Sequence, residues 1–246
     1  MTNQEFSNEF DILYNNISSN QAPGLDEYEK SVFLTKAQDE LIKNYFNPKG
    51  NKYQEGFDGN EKRQIDFSMI MRTSSTTSGF TDGTFDSRGK TVDLPKDALM
   101  ILNEYAVVNR EVSNVEGGNT SITNLRLIVV PLEYKEYSRL MSKPYKRPLK
   151  FQAWRLLDNS STVKKAEVIV GQNDTLVSYN IRYIKKPRAI ILEDLEGVTL
   201  DNIATAQTCE LDSILHQEIL QRAVELAKIA YVSDLPASIQ AGSRAE

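Results

Sequence analysis

Two apolar helical stripes near the start of this 246-residue chain and one near its end enclose a middle that reads in short strand-like runs. Phe6, Phe10, Tyr14 and Ile17 fall on one face of a first helix. Asn20-Gln21-Ala22-Pro23-Gly24 breaks it, and Asp26 or its neighbour can cap a second helix striped by Tyr28, Val32, Ala37, Leu41 and Tyr45. Pro48 and Gly50 end that helix. The closing helix runs from about Glu210 to Val232, with Leu211, Leu215, Ile219, Ala223, Leu226 and Ala230 in line. Glu210 and Asp212 near its start and Lys228 near its end suit its dipole. Sequence-distant helices that each carry one apolar face most simply bury those faces on each other. The expected fold is therefore α+β: a helical bundle from residues 1–50 and 205–235, a β-rich sheet or barrel-like insertion over 60–195, and a flexible tail over 236–246.

Within the insertion, Gln64 to Met71 alternates as a half-buried strand does. Further strand-like runs span Leu99–Val108, Leu125–Val130, Lys150–Leu157, Ala166–Val170 and Leu176–Ile184. Gly117-Gly118-Asn119 and Gln172-Asn173-Asp174 read as turns, and a short helix from Glu133 to Met141 interrupts the series. Pro187 stops the last strand. The 18 residues from Arg72 to Gly89 are rich in Ser, Thr, Gly and Asp, which is long for a loop in a compact domain. This stretch reads as an arm ordered by a neighbouring protein, with Phe80 and Phe85 as its apolar anchors.

Charge divides by region. Lys135 to Arg188 holds 13 Lys/Arg against 4 Asp/Glu, net +9, and the other 192 residues hold 16 against 30, net −14. Such a field steers association with a partner of opposite sign, either another copy of the chain or a polyanion such as DNA. Its densest part, Lys143, Lys146, Arg147 and Lys150 followed by Trp154-Arg155, mixes basic and aromatic side chains. That mixture suits nucleic-acid contact, a solvated sheet edge protected by Lys and Pro, or a subunit interface that meets acidic surface, and the residues alone leave all three open.

Catalytic chemistry finds little support. Cys209 is the only cysteine and His216 the only histidine, so no intrachain disulfide, no Cys-based zinc site and no His-rich metal site is available. On one helix the two lie about two turns apart, roughly 10 Å, too far for a thiolate–imidazole pair. Gly89-Lys90-Thr91 resembles the end of a phosphate-binding loop, but the glycine required five positions earlier is Thr84, and Val92-Asp93-Leu94-Pro95 starts no helix. Glu193, Asp194 and Glu196 read as a solvated turn, which leaves a carboxylate-pair hydrolase as a distant third reading. No cofactor motif is present. No stretch approaches the ~18 apolar residues of a membrane span, and the polar, acidic start is unlike a secretory signal, so a cytoplasmic protein or a component of something assembled there is expected.

Six segments together resemble structural proteins of crAss-like bacteriophages, specifically the ring proteins that join portal to tail. They are EFSNEFDILYNNI, APGLDEYEKSVFLTKAQDELI, VDLPKDALMILNE, SKPYKRPLKFQAWRL, YIKKPRAIIL and ELDSILHQEILQRAVELAKIA. The order of helices, β insertion and closing helix is also distantly similar to the tail tubular protein A-like adaptors of short-tailed phages. The resemblance implies a non-enzymatic virion protein of the neck, without cofactor or catalytic residues, assembled in the host cytoplasm. It further implies a head-to-tail ring of about twelve copies, touching portal and other connector or tail proteins and threaded by double-stranded DNA bound without sequence preference. The other reading is a cytoplasmic nucleic-acid-binding protein that uses residues 135–188.

Overall fold

Helices start where side chains can cap them. In the computed structural model, which describes residues 1–15, 24–46, 61–113, 119–143, 148, 150–158 and 163–231, Thr2 and Glu5 exchange hydrogen bonds across the start of α1 (Asn3–Asn15). Asp26 and Glu29 do the same for α2 (Glu27–Phe46), with Glu29 N–H donating to Asp26 Oδ1 at 2.7 Å and Asp26 N–H donating to Glu29 Oε2 at 3.2 Å. Each is a reciprocal capping box that satisfies two orphan donors. Five α-helices and an eight-stranded sheet make up the described residues, so the protein is α+β. Ile17, Pro48, Gly50 and residues 236–246 lie outside the described residues.

The described residues within Met1–Ile70 and Pro187–Glu246 form one compact unit, and those within Met71–Lys186 form a second. In the first, the buried face of α1 is Phe6, Phe10 and Tyr14, as the spacing predicts. The buried face of α2 is Phe33, Leu34, Ala37, Gln38, Leu41, Ile42 and Phe46, turned toward Phe33 and Leu34 from the expected stripe, with Tyr28 and Val32 only half-buried. The reason is a third occupant. The extended segment Pro187–Leu192 runs beside α2, and the Ser31, Thr35 and Gln38 side chains serve its backbone. Leu192 N–H donates to Ser31 Oγ (3.0 Å), Ile190 N–H to Thr35 Oγ1 (3.1 Å), and Gln38 Nε2 donates to the Arg188 carbonyl (2.9 Å). This ladder lets Ala189, Ile190, Ile191 and Leu192 bury their side chains with backbone groups satisfied. The last helix, α5 (Ser213–Tyr231), buries Leu215, Ile219, Leu220, Ala223, Val224 and Ala227, while Leu226 is half-buried and Ala230 exposed. Arg222 Nε meets Glu40 Oε2 of α2 at 2.8 Å, and Lys228 Nζ donates to the Leu13 carbonyl of α1 at 2.9 Å.

One expected strand is a helix. Gln64–Ile70 forms the end of α3 (Glu61–Asp66) and a 3-10 turn, Ser68–Ile70, and Met71 begins the first strand. Alternation placed Ile65, Phe67 and Met69 on one face, but Phe67 and Ile70 are buried, three residues apart as a helical turn requires, and Ile65 and Met69 are exposed.

The second unit is the sheet, with strands β1 (Met71–Thr76), β2 (Thr81–Asp82), β3 (Gly89–Asp93), β4 (Ala98–Ser113), β5 (Asn119–Pro131), β6 (Gln152–Asp158), β7 (Lys165–Ile169) and β8 (Asp174–Lys185). Their order is β1-β8-β4-β5-β6-β7-β3-β2. All pairs are antiparallel except β5 with β6, whose connection carries α4 (Tyr134–Met141), the crossover that a parallel pair needs. One face buries Val92, Ala106, Val108, Leu127, Val129, Ala153, Val168, Tyr179, Ile181 and Tyr183. On the opposite face Trp154, Leu156 and Ile169 pack under Tyr137 and Leu140 of α4. Inside the first face, the Tyr179 hydroxyl donates to Glu104 (2.6 Å) and Arg155 Nε pairs with the same carboxylate at 2.9 Å. Burial pushes the Glu104 and Tyr179 pKa values up, and for Glu104 the Arg155 charge works against that rise.

The expected arm from Arg72 to Gly89 is ordered by its own subunit. Arg72–Thr76 pair with β8, and Thr81 and Asp82 pair with Thr91 and Lys90 of β3. The expectation weighed apolar content alone; here backbone ladders and one buried carboxylate hold the segment.

Candidate assembly surface

The β2–β3 loop is built around Glu167 of β7, which is 1% exposed. The backbone N–H groups of Thr84, Phe85 and Asp86 donate to its two carboxylate oxygens at 3.0–3.2 Å. Consecutive N–H groups turned inward make an anion-binding concavity, and the occupant is a side chain of the same protein. A Cβ at Gly83 or Gly89 would overlap that carboxylate, which is why glycine stands at both ends of the loop.

This loop carries a second carboxylate, Asp86, that fastens it to α4. Arg88 pairs with Asp86 through its guanidinium and its backbone N–H, and the Tyr137 hydroxyl donates to Asp86 Oδ2 at 3.0 Å. The Arg88 guanidinium, above all, holds the Asp86 carboxyl down to about 2, against the opposing effect of burial. Burial and the bond to Asp86 push the Tyr137 hydroxyl up to about 12. The Phe85 ring lies 4.7 Å from that of Tyr134. Loop and helix thus form one knob on the outer face of β6 and β7.

The sequence-selected residues distribute around this knob unequally. Phe85 is 47% exposed at its surface, while Phe80 is half-buried against the core of its own sheet. Lys143 follows α4 and is exposed, as is Lys150 just before β6. Lys146 and Arg147 lie outside the described residues. Arg155 is buried and paired with Glu104, so its charge is neutralised within the subunit. Sequence reasoning missed Glu167, Asp86 and Tyr137; the only trace is the Gly83/Gly89 pair bracketing a polar run.

Elsewhere the chemistry is quiet. Burial pushes the Cys209 thiol up to about 11, away from nucleophilic reactivity, and lowers the His216 pKa. Among the described residues no group of three His, Cys, Asp or Glu is placed to hold a metal ion. No helix among them is long and apolar enough to cross a membrane.

Comparison with known proteins finds a family model described as phage tail ring protein 3/4, matching residues 1–237. Ring protein 4/5 of Bacteroides phage crAss001 is 49% identical over 253 aligned residues, covering all of both chains. Ring protein 3 of the same phage is 34% identical over 232, covering 94% of this chain and 96% of the other.

Proposed function

The chain belongs to the phage tail ring protein 3/4 family, and from that premise we propose that it is a subunit of a ring in the portal–tail connector through which the genome passes. A virion structural ring protein is what the family gives; copy number near twelve, contact with portal and neighbouring tail proteins, and passage of DNA are the finer reading. The greater identity to Ring protein 4/5 supports the position of that relative over that of Ring protein 3. The role is structural and non-catalytic, with assembly in the host cytoplasm.

One observation carries the head-to-tail reading. The unit Met71–Lys186 holds 18 Lys/Arg against 12 Asp/Glu, net +6, and the remainder holds 11 against 22, net −11. Opposite charge on two independently compact units gives each subunit two unlike faces, the condition for a heterologous ring. In this reading α1, α2 and α5 act as one bundle that presents acidic surface, and Lys143, Lys146, Arg147 and Lys150 with Phe85 belong to the basic surface that meets it on the next copy. Native mass measurement and negative-stain images of the purified protein, alone and with portal, test it. A closed ring of fixed copy number that stacks on portal is expected; a chain that stays monomeric with portal present, yet binds duplex DNA, would return the role to a nucleic-acid-binding protein.

A further inference from the structure

Across β1, β8, β4 and β5 the residues that face away from the core fall into rungs. Arg182 lies opposite Thr73 on one side and Asn103 on the other. Asn180 lies opposite Ser75 and Tyr105, with Ile128 beyond Tyr105, and on the next rung Val107 lies opposite Arg126. Their neighbours along the strands, Tyr179, Ile181, Ala106, Val108 and Leu127, form the core side. These rungs floor a trough of about 500 Å³. Its lining offers two guanidinium groups, the hydroxyls of Thr73 and Ser75, and the amides of Asn103 and Asn180, and no carboxylate, in a chain with 34 Asp and Glu. The Arg126 guanidinium lies 3.7 Å over the Tyr105 ring, which fixes it against the floor. Neither Arg126 nor Arg182 pairs with a carboxylate among the described residues.

Arginine, serine, threonine and asparagine side chains are the groups that contact phosphate oxygens in protein–DNA interfaces, positioning the duplex without reading its sequence. Single carboxylates of a neighbouring copy could accept from any one of these groups, but they do not supply a continuous row of acceptors. The hydroxyls and amides between them match a ligand that carries oxygens along its length. We propose that this trough holds the phosphodiester backbone of duplex DNA, a proposal that rests on the reading that the genome passes through the ring. Two arginines per copy keep each contact weak, and repetition around a ring sums them, so the duplex is guided and still slides. Neutralising two phosphates per copy gives about a tenfold loss of affinity between 50 and 200 mM salt.

Arginine Nε–H resonances of the full-length protein, followed by NMR during titration with a 12-base-pair duplex, give a readout at the site itself. The Arg126 and Arg182 signals are expected to shift at low salt and to return by 200 mM, and Arg126→Gln/Arg182→Gln is expected to lose duplex binding while keeping its melting temperature. If the duplex shifts nothing, or shifts only residues around Lys143 and Lys150, the proposal is overturned. It is also overturned if the double variant binds DNA normally, or if it loses ring assembly, which would make the trough a protein contact. Copy number by native mass is measured separately, so a protein that forms rings but leaves both arginines unmoved by DNA removes this proposal alone. A protein that fails to form rings removes the connector reading instead.

Discussion

At the scale of single residues, Glu167 does for the β2–β3 loop what an apolar cluster does for a larger segment. Glu167→Ala leaves three inward-facing N–H groups without acceptors. At about 1–3 kcal/mol per orphaned group, offset where the loop opens to water, the expected cost is about 3 kcal/mol, a fall of roughly 6–12 °C in Tm. Gly89→Ala is expected to cost about 1–3 kcal/mol by overlap with the same carboxylate. The two changes are coupled: in the Glu167→Ala background, Gly89→Ala should cost markedly less, and equal costs in both backgrounds would deny that the carboxylate is what the glycine avoids. Asp86 supplies a pH test. Its pKa falls from 3.8 in the unfolded chain to about 2 when folded, so its stabilisation is complete above about pH 4 and is lost as pH falls toward 2. Denaturant melts of wild type and Asp86→Asn should therefore converge between pH 4 and 2, and a constant gap across that window would show that Asp86 is not held by Arg88. Beyond the Gly83/Gly89 pair this was not legible in the sequence, because a lone Glu in an otherwise strand-like run carries no signal of the loop it anchors.

At the scale of elements, α1, α5, α4 and most strands were legible, since each has an uninterrupted period that tertiary context does not contradict. Two failures share one cause: partners that local pattern cannot contain. The α2 stripe turned because Ser31, Thr35 and Gln38 face a backbone segment about 155 residues away in sequence, and a polar residue on a buried face reads as a break in the stripe until its partner is known. The Arg72–Gly89 arm was misread because sheet pairing with β8 and β3 supplies order that composition does not display. For the ladder, Gln38→Leu should leave the Arg188 carbonyl without its donor and cost about 1–3 kcal/mol, more than a surface change on the same helix such as Lys36→Leu. For α5, Ile219 is fully buried, and Ile219→Ala should cost about 2–5 kcal/mol. Thermal melts check both; an unchanged Tm for Ile219→Ala would mean that the α5 stripe faces no core, and the proposed bundle would fall with it.

At the scale of the whole molecule, the charge split was legible before any fold was known, because net charge survives folding, while the boundary of the basic part was not. The sequence assigned +9 to Lys135–Arg188; folding moves one of those cations inside, since Arg155 pairs with Glu104, and it also neutralises one of the segment's acids, since Arg110 from outside the segment pairs with Asp174. What remains outward includes Lys143 and Lys150 at the α4–β6 rim. If these cations meet the acidic unit of the next copy, ring assembly should weaken as ionic strength rises, because exposed pairs are screened over about 8–10 Å at physiological salt. Each such pair contributes only ~0–1 kcal/mol, so Lys143→Glu alone should leave assembly unchanged. Lys143→Glu/Lys146→Glu/Lys150→Glu reverses three contacts at once, and in a closed ring the defect repeats at every interface. Light scattering should then find subunits where wild type gives rings at the same salt, and raising the salt should narrow the difference by screening the new repulsion. The guanidinium trough on the outer face of β8, β4 and β5 is left intact by this variant, so its contact with DNA should survive per subunit. Rings that form normally from the triple variant, with duplex binding lost, would move the lysines from the subunit interface to the DNA and reverse the assignment of the two surfaces.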